Sequence, residues 1–267
     1  MDQTRGSAAE MGRRLEALYR RYNKRCYVSP DPLEVLYDYP DVFDREIVAF
    51  IAAALAYGNV GQIRNSLDRV FAIMGGAPRE YVCRGKPSDF YLDFQNFKHR
   101  FATGKHMAAM LAGLKQMLAV HGALQNAFAG GFSVTDTTCL PALEAFVENL
   151  RNACPKPDPG HLLASPQKGS ACKRLLLFLR WMVRSDAVDP GGWEKCPAEK
   201  LVVPLDTHMF RTCRQLGLTG RKQPDMKSAL EITAGFARIM PSDPVRYDFV
   251  LTRQGIRRDN RFALACQ

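Results

Sequence analysis

The chain has 267 residues, 46% hydrophobic, 24% charged and 10% aromatic, which excludes disordered and low-complexity classes and provides for a sizeable core. Its 37 lysines and arginines against 27 acids give a net charge of +10, spread as +2 over residues 1–35, zero over 36–160 and +8 over 161–267. A basic field concentrated in one part of a chain favours polyanionic partners, because neutralising phosphates releases counterions.

No Gly/Ser-rich or Pro-rich linker divides the sequence, so one compact unit, bilobal at most, is expected. The longest apolar stretch, residues 47–57 (IVAFIAAALAY), is too short to cross a bilayer, and the N-terminus lacks an apolar signal core; a cytoplasmic protein is expected. Eight cysteines, at 26, 83, 139, 154, 172, 196, 213 and 266, form no CxxC pair and read as free thiols. None of the five histidines has a metal-binding spacing, so no metal or other cofactor is expected.

In chain order, Met11, Leu15, Leu18 and Tyr19 recur at helical spacing within residues 10–25 and predict an amphipathic helix with a basic face. Asp44 followed by EIVAFIAAALAY predicts an N-capped buried helix, and residues 60–74 a second one after the Gly58-Asn59 break. Residues 81–101 carry Tyr81, Phe90, Tyr91, Phe94, Phe97 and Phe101, an aromatic cluster assigned to the core. Helical periodicity resumes over 105–121 and 139–152. After a turn-rich stretch at 154–160 comes the most apolar helix, 171–184 (ACKRLLLFLRWMVR). Further helices are expected over 207–216, closed by Gly217, then near 224–239 and 243–256. The fold class is all-α.

The sharpest feature is Pro204-Leu205-Asp206-Thr207-His208-Met209-Phe210-Arg211. Pro204 fixes an extended approach, and Asp206 sits where an N-cap belongs, its carboxylate oriented by free amides of the first turn. On the residues alone, helix capping suffices to explain it. The run PLDTHMFRTCRQLGL, however, resembles the VDTHVxRVxxRLGL signature of the helix-hairpin-helix DNA glycosylases, the superfamily of endonuclease III, adenine glycosylase and the 8-oxoguanine glycosylases. Residues 44–60 are similar to that superfamily's early helix, whose end supplies residues that wedge into DNA, and residues 243–255 to its late helix. The resemblance implies a bilobal helical fold with a cleft between lobes, residues 36–160 forming one lobe and 1–35 joining 161–267 in the other. It also implies that Asp206 is a catalytic carboxylate.

The usual LPGVGxKTA hairpin is missing in recognisable form. Its nearest equivalent is Ser165–Lys173 (SPQKGSACK), where Lys168, Gly169 and Ser170 are candidates for phosphate contact. The interval of 33 residues from Lys173 to Asp206 is similar to that in the archaeal 8-oxoguanine glycosylases, whose nucleophilic lysine follows an atypical hairpin. The whole chain also resembles a prokaryotic family with the pattern SPxKGSACKRLxxFLRWMVR then PLDTH, which supplies a fold expectation and no activity.

Breaking an N-glycosidic bond builds positive charge on the sugar, so the site needs an anion beneath it and, for a lyase, an amine to attack the anomeric carbon. The resemblance assigns these roles to Asp206 and Lys173, with Lys168 the alternative amine. Arg180, on so apolar a helix, is either a phosphate or base contact or a buried partner of Asp186 or Asp189. His208 and Arg211 are candidate phosphate ligands or surface residues. Tyr57 and Asn59 are candidate wedges, and Trp193 a candidate stacking partner for a flipped base. The expected partner is double-stranded DNA carrying a damaged base or abasic site, bound by a monomer near the nucleoid, with 8-oxoguanine favoured through the archaeal resemblance. A non-catalytic nucleic-acid-binding module and an RNA-directed enzyme are the alternatives.

Overall fold

The computed structural model describes residues 2–156, 158–164 and 170–256. Among the described residues, twelve α-helices and one two-stranded hairpin make up the regular structure, together with short 3-10 segments. The helices are α1 (Asp2–Tyr22), α2 (Val42–Leu55), α3 (Val60–Met74), α4 (Pro78–Arg84), α5 (Pro87–Asp93), α6 (Gly104–His121), α7 (Leu124–Ala129) and α8 (Leu140–Ala153). They continue with α9 (Lys173–Val183), α10 (Thr207–Gln215), α11 (Met226–Ala237) and α12 (Asp248–Ile256). Between α5 and α6, β1 (Lys98–His99) pairs antiparallel with β2 (Ala102–Thr103). Among the described residues no helix is long and apolar enough to cross a membrane.

The uninterrupted apolar run of α2 has a simple cause: every residue from Glu46 to Leu55 is buried, because the helix is surrounded rather than laid on a surface. It packs against α9, where Phe50 meets Phe178 edge-on with ring centroids 5.2 Å apart, and Phe146 of α8 lies against both. Full burial of one such ring is worth about 2–3 kcal/mol in transfer terms, so this triplet is a large local contribution. The one polar residue of the run, Glu46, is the exception that needs partners. Its carboxylate accepts from the amides of Leu124 and Gln125 and from Trp193 Nε1, and so anchors α7 and the Trp193 loop to α2.

Helix boundaries follow the caps. The N-cap of α2 is Asp41, which accepts from the amides of Phe43 and Asp44, not Asp44 as its position before the apolar run suggests. Asp44 is turned outward to receive the amide of Arg79 at the start of α4. α1 begins eight residues earlier than periodicity places it, and α12 five residues later. The aromatic cluster of 81–101 is core at Phe90, Phe94 and Phe97, whereas Phe101 is 65% exposed, a correction with a geometric cause: it lies in the two-residue turn between β1 and β2.

Beneath α9 sits a buried ion-pair network. All three guanidinium nitrogens of Arg180 donate to carboxylates, Nε and Nη2 to Asp189 and Nη1 to Asp248. Arg184, one turn on, bonds Asp189, Asp186 and Asp243. Buried charges persist only when compensated in this way, and the network ties α9 to the 186–189 loop and to the start of α12.

Candidate active site

α9 opens with Lys173 and α10 is preceded by Asp206, and the fold places the ends of these two helices together. Lys173 Nζ lies 2.9 Å from Asp206 Oδ2, with each side chain about one-third exposed. The other carboxylate oxygen, Oδ1, accepts the amide of Met209 at 2.8 Å, the ordinary N-cap bond. Burial works to raise the Asp206 carboxyl, but the Lys173 ammonium and the Met209 amide outweigh it and hold it below the usual carboxylate value. A carboxylate held ionised, partly buried and open on one side suits stabilisation of a developing cation.

The pair opens onto a cleft of about 630 Å³, large enough for a nucleobase with its sugar. Its wall is drawn from distant parts of the chain, including Asp31, Tyr57, Ile63, His161, Trp181 and Thr252. Two further polar groups of the wall are left unsatisfied. Asp248, the first residue of α12, is 1% exposed; its Oδ2 receives Arg180, while its Oδ1 has no hydrogen-bond partner among the described residues. His208 Nε2 is likewise buried without a partner. Buried polar atoms are nearly always paired, so these two atoms on one cleft are open hydrogen-bonding positions for water or a bound molecule. Burial pushes the Asp248 carboxyl up to about 6, against the pull of Arg180, with the nearby Asp206 charge adding to the rise.

The backbone at the start of α9 is itself unusual. Cys172 holds a left-handed conformation with φ of 46° and is buried, a sparsely populated state for a residue with a Cβ. The next residue after the amine, Arg174, donates to the carbonyls of Ala54 and His161 and lies over the Tyr57 ring at 4.9 Å, closing one side of the cleft.

A family model described as "Protein of unknown function (DUF2400)" matches residues 31–257. The chain belongs to the DUF2400 family. No curated protein and no solved structure matches it. The matched region of this DUF2400 chain contains Lys173, Asp206, His208 and Asp248 together with the whole cleft wall.

The remaining residues singled out in the sequence divide clearly in the DUF2400 structure. Ser170 lines the cleft, accepting the Cys172 amide on its Oγ and forming an isolated bridge with Asp225. Lys168 and Gly169 lie outside the described residues. Arg180 forms part of the wall, but its guanidinium is consumed by Asp189 and Asp248, which replaces the phosphate or base contact with a structural role. Trp193 is 3% exposed, packed on Phe128 and Phe178 and bonded to Glu46, so stacking of a flipped base on it is ruled out by burial. Tyr57 lines the cleft, yet its hydroxyl donates to the His99 carbonyl at 2.9 Å and its ring is held between His99, His161 and Arg174, which leaves it no freedom to act as a wedge. Asn59 is exposed, is not one of the residues lining the cleft, and caps α3 through the Gly61 amide. Arg211 is exposed on α10, also outside the cleft wall.

Asp248 was missed at the level of sequence because its role depends on Arg180 reaching across from α9. No local pattern at either residue signals that pairing. Among the described residues no group of His, Cys, Asp or Glu side chains is arranged to hold a metal ion. All seven cysteines among them are free.

Proposed function

We propose that this protein is a DNA N-glycosylase with AP lyase activity that excises a damaged base, 8-oxoguanine foremost, from double-stranded DNA. The observation that carries the reading is the 2.9 Å approach of Lys173 Nζ to Asp206 Oδ2 at the wall of a nucleotide-sized cleft. An amine and a carboxylate within hydrogen-bond distance of each other are the two groups a Schiff-base glycosylase uses.

In the proposed reaction the bond between C1′ and the base breaks with its electron pair leaving on the base. Asp206 stabilises the oxocarbenium-like sugar, Lys173 Nζ forms the new bond to C1′, and the proton that Nζ gives up goes to the departing base. O4′ takes a proton from the C1′-bound Nζ as the C1′–O4′ bond opens to give the iminium; water then takes a C2′ proton and the 3′ phosphate leaves with the C3′–O electron pair, which cuts the strand. Asp248 Oδ1 offers an acceptor to an N–H of the flipped base, and His208 Nε2 offers a polar contact beside Asp206. The reading has residues 36–160 as one helical lobe and the remaining helices as the other, enclosing the cleft, in a monomer working on the nucleoid.

Release of free base from duplexes carrying 8-oxoguanine, uracil or alkylated purines tests this. Lesion-dependent release that falls with Asp206→Asn and Lys173→Gln is the expected result. Absence of release from every lesion by protein that still binds DNA would leave the second reading, a non-catalytic nucleic-acid-binding protein. That reading draws its support from the same pair, since Asp206 is already satisfied by Lys173 and Met209 as an internal structural link.

A further inference from the structure

The residue that resembled a wedge, Tyr57, is tied down, and the structure presents a different aromatic at the same rim. Phe101 stands in the two-residue turn of the β1–β2 hairpin with 65% of its surface in water, so its burial contributes little to the fold. Arg100, the other turn residue, has φ of 51°, the left-handed region that favours glycine or asparagine in such turns. Strain of this kind, at an exposed tip holding an unburied ring, is the pattern of a functional loop rather than of packing.

The base of the hairpin is rigid. His99 is buried, its Nδ1 shares a hydrogen bond with Ser66 Oγ at 2.9 Å and its Nε2 one with the Tyr57 carbonyl at 3.1 Å. Ala102, its partner across the strands, is also buried. The tip therefore projects from a fixed platform. It also stands beside the cleft wall: the Phe101 ring lies 5.5 Å from that of His161, and His161 lies 4.7 Å from Tyr57, both of which line the cleft. Arg100 stays beside Phe101, its guanidinium 5.5 Å from the ring centroid. It is accommodated by Gly58, where a Cβ would come within 2.7 Å of Arg100 Cδ. Phe101, His161 and Tyr57 thus form a row of three rings that ends on the Arg174 cation, the residue next to Lys173.

We propose that the Arg100–Phe101 tip enters the duplex, Phe101 stacking in the space vacated by the everted nucleotide while Arg100 neutralises an adjacent phosphate. This rests on the DNA glycosylase reading above and assigns to that site the element that holds the duplex open. Aromatic stacking is indifferent to base identity, so the tip contributes to recognising a gap and not to naming the lesion.

The test is binding to a duplex with a tetrahydrofuran abasic analogue, compared with the same duplex intact, with 2-aminopurine opposite the analogue as reporter. Phe101→Ala is predicted to weaken the abasic complex by about tenfold to a hundredfold while changing intact-duplex binding little, and to abolish the 2-aminopurine response. Phe101→Trp is predicted to restore both, with a tryptophan emission quenched by the abasic duplex beyond that of the two native, buried tryptophans. Leu92→Ala removes a comparably exposed apolar side chain on α5 and is predicted to behave as wild type. Wild-type affinity and an unchanged 2-aminopurine signal in Phe101→Ala would overturn the tip assignment and leave the glycosylase reading standing. Failure of the wild-type protein to bind either duplex would overturn both.

Discussion

Lys173 and Asp206, 33 residues apart in sequence, meet at 2.9 Å because the first residue of α9 and the N-cap of α10 face each other across one end of the cleft. Asp206 thereby has two functions on two oxygens: Oδ1 holds the helix and Oδ2 holds the amine. These functions separate by mutation.

Asp206→Asn preserves an N-cap acceptor, since asparagine caps as well as aspartate, but removes the charge. It is expected to lower the rate of base excision by about 10²- to 10³-fold with a change in unfolding free energy below about 1 kcal/mol at neutral pH. Asp206→Ala loses the cap as well and should unfold about 1 kcal/mol more easily than Asp206→Asn. Single-turnover kinetics and urea titration of both variants check this. Equal destabilisation by the two would show that the cap is not what Oδ1 provides.

Removing Arg180 leaves Asp189 and Asp248 buried without their shared cation. Arg180→Ala is therefore predicted to cost about 3–5 kcal/mol of stability, a larger loss than any substitution of an exposed arginine such as Arg211. Chemical denaturation measures it. A loss below 1 kcal/mol would mean that water or another cation replaces the guanidinium.

Asp206 and Asp248, two acids of the cleft wall, respond to pH in opposite senses. The folded state holds the Asp206 carboxyl below its unfolded value, so its contribution is present above the unfolded value and is lost as pH falls through the folded one. Asp248 is raised to about 6, so the folded state favours its protonated form; that contribution is full below about 4 and is lost as pH rises through 6. Relative to Asp248→Asn, whose side chain keeps an acceptor for Arg180, the wild type should lose stability between about pH 4 and 7. Parallel stability profiles for the two proteins over that range would contradict the assignment.

Trp193→Phe keeps most of the packing on Phe128 and Phe178 but removes one of three donors to the buried Glu46 carboxylate. A destabilisation of about 1–3 kcal/mol is expected, with DNA affinity unchanged. A selective loss of lesion binding in a protein of wild-type stability would return Trp193 to the site.

Much of this arrangement was readable in the chain. The helices at 60–74, 104–121 and 173–183 follow from apolar spacing, and Asp206 from the Pro204 approach and the cap position, because both signals are local. What failed was non-local. Trp193 in a Gly-rich loop looks exposed until Glu46, from a helix 147 residues earlier, is seen to receive its indole N–H. Phe101 looks like core because its neighbours Phe94 and Phe97 are core, and only the two-residue turn turns it outward. Asp248 becomes a cleft residue through Arg180, and neither residue reveals the other in sequence. The resemblance to glycosylases singled out Lys173, and the folded chain places that amine against Asp206.

Borohydride trapping tests most directly whether Lys173 is the nucleophile. The protein is mixed with duplexes bearing an abasic site or 8-oxoguanine, reduced, digested and mapped by mass spectrometry beside Lys173→Gln and Lys168→Gln. A covalent DNA adduct on the peptide containing Lys173, lost in Lys173→Gln and retained in Lys168→Gln, is the expected result. An adduct on Lys168, or none on any lesion while the wild-type protein binds the duplex, would contradict it.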